Sequence, residues 1–370
     1  MKKKVFALLL STVLAFGMLS GCNAEEEVIS SEEPSTELVS IELESESVSE
    51  EEPIIEEVAP ENSYRSELTN EWISLDIQNQ RPIAVMVDNE KTALDHYGLT
   101  QADIVYEMMN STANDEVTRF MALVKDWGSI TRFGSIRSVR PTNFMIAPEY
   151  NAILVHDGGP FYIDAYLRNP WIDNLSGGFA RIENGKPREF TEYVTTGEIA
   201  SRIEAANYDV EYNEYYPGAH WRFANPADPV DLSEKYNSVN CTLVDLPFPH
   251  NKSELKYDEE SGKYLYYEYG MAHIDPENNN EQLSFTNVIV QCADVNQLDA
   301  NGYMQFNLFN GTGNAYYITG GKAIPVTWIK GMDTTLTEFY NSDGELITLN
   351  TGKTYIALVS STRWNELVIK

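Results

Sequence analysis

Arg81-Pro82-Ile83-Ala84-Val85-Met86-Val87-Asp88-Asn89, residues 81–89, is the stretch that sets the fold class of this chain. Residues 83–87 are a compact apolar run that reads as a buried strand, and the Asp88-Asn89 pair stops it. Outward from it, residues 104–106, 120–124 and 152–155 read as further strands. Thr195 with Glu198 three residues on makes a capping box, and Ile199 and Ile203 mark the apolar side of a helix ending near Asn207. The region is mixed α and β.

From residue 228 onward the signals are hairpins. Ser261-Gly262, Gly320-Gly321 and Asp343-Gly344 each sit between strand-like runs rich in aromatic and β-branched residues. Pro226 and Pro229 mark the shift in composition, so the expected division is an N-terminal α/β domain at 63–227 and a β-rich C-terminal domain at 228–370. The fold class expected is α+β. The 308 residues after position 62 exceed what one compact core usually organises, which implies two domains or one large layered domain.

The chain opens with Lys2-Lys3-Lys4 and an almost unbroken apolar run over residues 5–18, a secretory signal of about 14 residues that is short for a spanning helix. It ends in Leu19-Ser20-Gly21-Cys22, which resembles the bacterial lipobox, whose cysteine is acylated before the signal is cut away. Residues 1–21 are therefore expected to be a lipoprotein signal peptide and Cys22 the lipidation site. A lipid anchor of two chains or more holds a protein stably at a bilayer. Residues 22–62 follow with fifteen Glu, no Lys or Arg and no aromatic residue, a composition expected to stay disordered and extended as a tether of roughly 35 Å. This places the protein on the extracytoplasmic face of the cell membrane, with the lipid bilayer as its first partner.

The net charge is −31, of which the leader and the acidic segment leave −19 to residues 63–370. An acidic body excludes nucleic acid as the expected partner, since that needs a basic stripe. No further stretch of 18 apolar residues follows Cys22. Cys241 and Cys292 leave a disulfide open, because the exterior is oxidising, and a buried free thiol at Cys292 equally so. No Cys or His spacing resembles a zinc site, and neither a metal nor a cofactor is expected. Gly311-Thr312-Gly313 precedes an aromatic strand and not a helix, so it fails as a dinucleotide loop. Asp294-Val295-Asn296 begins like a calcium loop and then breaks at Leu298.

Residues 81–89 and 98–107, with Thr118-Arg119-Phe120-Met121-Ala122-Leu123, Ile136-Arg137-Ser138-Val139-Arg140-Pro141 and Ile153-Leu154-Val155-His156-Asp157-Gly158-Gly159, resemble the YerB-like lipoprotein family. Asn287-Val288-Ile289-Val290-Gln291, Gly321-Lys322-Ala323-Ile324 and Thr327-Trp328 resemble that family's C-terminal region, so the likeness spans nearly all of 75–365. It implies a layered α/β sandwich and brings no established reaction. The chain departs from the pattern at Pro160, where a Ser is expected, and at Asp157, where a smaller residue is common. Pro160 brings no hydroxyl to that position.

Function has to come from the residues. Between Val117 and Ala147, Arg119, Arg132, Arg137, Arg140 and Lys125 face a single acid, Asp126, a local charge of +4 in an acidic body. His156-Asp157-Gly158-Gly159 follows a strand, where ligand loops lie in α/β sheets. Paired glycines free backbone N–H groups for an anion, and Arg binds carboxylate or phosphate in a fork. Arg119, Arg137, Arg140, His156, Asp157, Gly158 and Gly159 are thus the candidate ligand site, with Asp88, Asp103 and Glu107 the acids available to pair with the arginines instead. The reading is a binding or scaffolding protein with an Arg-lined cleft for an anionic envelope ligand or protein partner. The alternative is a cell-envelope hydrolase or transferase with Asp88, Glu107 and His156 as acid and base. His96, His220, His250 and His273 carry less weight.

Overall fold

Ile83–Asp88 is an inner strand of an eleven-stranded mixed sheet. The structure, a computed structural model, describes residues 58–233 and 235–370; the leader 1–21, Cys22 and most of the segment 22–62 lie outside the described residues. All described residues belong to one compact unit.

The sheet runs Val239–Asn240, Lys322–Lys330, Gly311–Thr319, Asn287–Ala293, Thr354–Ser360, Ile104–Met109, Thr118–Val124, Ile83–Asp88, Ile153–His156 and Asn174–Ser176, with Thr337–Tyr340 paired onto Lys322–Lys330. It draws strands from both sequence regions. The join is Thr354–Ser360, which lies parallel to Asn287–Ala293 on one side and to Ile104–Met109 on the other. These inner strands read as continuous apolar runs because both of their faces are covered.

Period-two alternation assigns their side chains to two cores. Ala84, Met86, Tyr106, Met108, Met121 and Leu123 face a core completed by Phe144, Met145 and Ile146 of the short helix Pro141–Ile146 and by Phe306. Ile83, Val85, Val105, Phe120 and Ala122 face the other, which is closed by Ile199 and Ile203 of the helix Glu198–Ala206 and by Leu255, Tyr264 and Tyr266. Those last three come from a separate six-stranded antiparallel sheet. Strands outweigh helices throughout, so α+β holds as the broad class.

The helix expected from Thr195 begins at Glu198. Gly197, at φ 72°, takes the cap position, while the Glu198 carboxylate still reaches back to the Thr195 N–H at 3.1 Å. The turns at Ser261-Gly262 and Gly320-Gly321 join the expected hairpins. At Asp343-Gly344 only an isolated Tyr340–Leu346 bridge closes the loop. Gly311 and Gly313 have a packing role: a Cβ on either would lie 2.6 or 2.7 Å from the Trp328 indole.

Cys241 and Cys292 are free thiols, so the bridge left open by the sequence is not formed. Cys241 bonds to Gly321 at the hairpin turn, the end of the sheet where Asn287 pairs with Thr319. Cys292 is five residues further along that strand, about 16 Å away at roughly 3.3 Å per residue and beyond the reach of a disulfide.

Candidate functional site

Asp88 ends its strand directly opposite Arg119 in the antiparallel register. The following segment is pinned to that strand end, with Asp88 N–H donating to Ser135 O at 3.0 Å and Arg137 N–H to Met86 O at 2.9 Å. The loop after Ile153–His156 is pinned in turn. Asp157 N–H donates to Arg137 O at 3.0 Å, Val139 N–H to Gly158 O at 3.1 Å and the Ser138 hydroxyl to Asp157 O at 2.8 Å. Residues 137–140 and 156–159 therefore lie side by side, with Gly158 and Gly159 exposed.

Three guanidinium groups gather here around one buried carboxylate. Arg137 Nε pairs closely with Asp88 Oδ2, and Arg119 Nη2 lies 3.7 Å from the same oxygen. Arg119 also donates to Asn110 Oδ1 at 2.9 Å and to Ser138 O at 2.6 Å, and Arg137 reaches the exposed Glu189 at 3.2 Å. Arg140 donates to Val139 O at 3.0 Å and stacks 4.8 Å from the Tyr303 ring centroid, with no carboxylate in ion-pair contact among the described residues. The Nε atoms of Arg119 and Arg140 are buried and have no hydrogen-bond partner among those residues.

Positive charge is in excess. Burial pushes Arg119 down to about 9, with Asp88 opposing the shift and Arg140 and Arg137 adding to it. Arg140 falls to about 10 by burial first, and repulsion from Arg137 contributes.

The remaining basic residues have their own acids. Arg132 stacks 3.3 Å over Tyr97 and pairs with Glu277 at 3.1 Å, while Lys125 is buried against Glu67 at 2.5 Å. Asp157 lies 3.5 Å from Arg181. Cavities of about 160 to 420 Å³ occur at residues 219–369, including grooves beside Tyr316 and Trp364, and their walls do not include the arginine cluster.

The acid and base candidates do not assemble. His156 is 1% exposed, its Nδ1 meets Gly158 O at 2.9 Å, and Phe144 stands edge-on to its ring. Burial lowers its pKa, and it has no carboxylate partner within bonding distance among the described residues. Glu107 is fully buried and accepts from Thr118 at 2.6 Å, Ser253 at 2.7 Å, Tyr266 at 2.8 Å, Asn89 at 3.2 Å and the Tyr355 hydroxyl. It joins parts of the molecule and faces no opening. Asp103 accepts from Lys125 N–H at 2.7 Å, so of the three acids only Asp88 serves the arginines.

Sequence reasoning missed Asn110, Glu189 and Tyr303, which reach the cluster from three separate segments, and the Ser138 carbonyl between Arg137 and Arg140. It also missed His96, Glu268 and His273, which meet in the interior. The one signal in the sequence is the five-residue spacing of Glu268 and His273.

Residues 68–209 match the domain described as "Protein of unknown function (DUF3048) N-terminal domain", and residues 244–356 match its C-terminal domain. The chain belongs to the DUF3048 family. The Bacillus subtilis (strain 168) protein named "Putative lipoprotein YerB" is 24% identical over 302 residues, covering 80% of this chain and 86% of that protein. The crystal structure of the YerB protein from Bacillus subtilis superposes with a TM-score of 0.69 at 21% identity, over 83% of this chain and 99% of the solved one. That likeness establishes the fold. Between the two DUF3048 domain matches lie residues 210–243, which include the expected boundary at 227 and 228.

Proposed function

We propose that this chain is an extracytoplasmic lipoprotein, anchored through Cys22, whose Arg119, Arg137 and Arg140 cluster binds a phosphate or carboxylate group of an envelope component. The observation that carries the reading is the imbalance of three guanidinium groups against two carboxylates, the buried Asp88 and the exposed Glu189, with Arg140 in ion-pair contact with neither. An oxyanion beside the exposed Gly158-Gly159 loop would supply the missing charge. The anchor reading rests on the Leu19-Ser20-Gly21-Cys22 sequence and on the printed name of the Bacillus subtilis relative. Among the described residues, no helix is long and apolar enough to cross a membrane. The acid–base alternative has no comparable support, because His156 is enclosed and its carboxylates are committed elsewhere.

Sodium polyphosphate serves as a soluble probe. Arg140→Ala, which breaks no ion pair, should weaken polyphosphate binding by about tenfold, roughly 1.4 kcal/mol, with Tm unchanged. Wild-type binding should also fall as salt rises. Unchanged affinity in the variant, or an equal loss of stability, would sink the proposal.

A further inference from the structure

His96, Glu268 and His273 are 0%, 1% and 3% exposed, and each offers a ligand atom such that all three atoms lie within 4.8 Å of one another. They come from distant parts of the chain. His96 precedes Tyr97, which pairs with Gly134, whereas Glu268 ends the strand Lys263–Glu268 and His273 follows its hairpin partner Met271–Ala272. The surroundings are aromatic: Phe120 stands edge-on to both imidazoles at 5.8 and 6.3 Å, and Tyr266 to His273 at 5.7 Å.

In this apolar setting four polar atoms have no hydrogen-bond partner among the described residues: both ring nitrogens of His96, His273 Nε2 and Glu268 Oε2. Buried polar atoms are almost always satisfied, so these orphans call for a further partner, and one ion would take a single nitrogen from each ring. Glu268 Oε1 lies 2.7 Å from His273 Nδ1, near the separation of two ligand atoms on one ion. Two imidazole nitrogens and one carboxylate oxygen are a donor set for zinc, and not for magnesium or calcium, which prefer all-oxygen sites. Tetrahedral ligands around zinc stand about 3.3 Å apart, so small side-chain rotations would close the present spacing.

We propose that His96, Glu268 and His273 form a buried zinc site that cross-links the two matched regions of the chain. Three protein donors leave one position for a water, and the enclosure by Phe120 and Tyr266 gives the ion a structural role. Glu268 supplies the negative charge that the ion requires.

The test uses the full-length chain in detergent, stripped with a chelator and titrated with Zn2+ by calorimetry and with Co2+ by visible absorption. One equivalent of Zn2+ should bind, Co2+ should give ligand-field bands, and Zn2+ should raise Tm in a way that chelator reverses. His96→Gln and His273→Gln should each weaken binding by tenfold or more. Binding unchanged in both variants would place the metal elsewhere and overturn the site. If either variant fails to fold, the wild-type Co2+ spectrum decides: its absence, with no Zn2+ shift in Tm, shows that no metal satisfies these atoms.

Discussion

Arg119, Arg137 and Arg140 stand in a basic stretch that is plain in the sequence, yet their environments differ. Arg119 and Arg137 share Asp88, while Arg140 has, among the described residues, a carbonyl and an aromatic face. No spacing rule separates them, because the strand register and the bend before Pro141 decide which guanidinium reaches the acid. Asp103 shows the same effect on protonation. Burial pushes its carboxyl up from 3.8 to about 7, against the Lys125 N–H bond and the Lys353 charge, which lower it. The folded state therefore holds this proton more tightly than the unfolded state does. The stabilisation is fully present below pH 3.8 and is lost as pH rises through about 7. Asp103→Asn should flatten the dependence of unfolding free energy on pH across that window, measured by urea denaturation. An unchanged slope would mean that other groups set it.

At the scale of elements, apolar runs and turn pairs located strands and hairpins well. The run at 83–87 is a strand, as are 104–106 and 120–124 within slightly longer elements. The Gly320-Gly321 turn has φ of 56° and 73°, which suits the tight two-residue hairpin that the pair suggested. The stretch at 137–140 is less regular than its apolar neighbours, since its backbone bonds are divided between residue 86 and the 157–158 loop. The role of Gly313 also lay hidden. A methyl there would meet Trp328 Nε1 at 2.7 Å and Cys292 O at 2.8 Å, and the second of these is backbone that cannot rotate away. Gly313→Ala should lower stability by about 1–3 kcal/mol through overpacking. Chemical denaturation would show it, and a neutral result would mean that the hairpin slides to make room.

For the molecule as a whole, the parallel pairing of Ile104–Met109 with Thr354–Ser360 joins the two sequence regions into one sheet. Glu107 reinforces the join, because Ser253, Tyr266 and Tyr355 donate to it from the other region. A fragment of residues 58–227 would expose the edge of an inner strand and leave this carboxylate without three of its five donors, at a cost of several kcal/mol. It should lack a cooperative thermal transition, while the chain from residue 58 onward should unfold in one step. Near-UV circular dichroism would register both outcomes, and two independent transitions would contradict the shared-core view.

The sequence alone determined the apolar strands, the paired-glycine hairpin, the acidic balance and the local reversal of charge, because each depends on residues close together along the chain. It also carried the family likeness. Only the tertiary structure decided which arginines share Asp88, that His156 is enclosed, that Cys241 and Cys292 stand too far apart to bridge, and that His96 meets Glu268 and His273. Those outcomes depend on sheet order and register, which bring distant segments together and which no local pattern encodes.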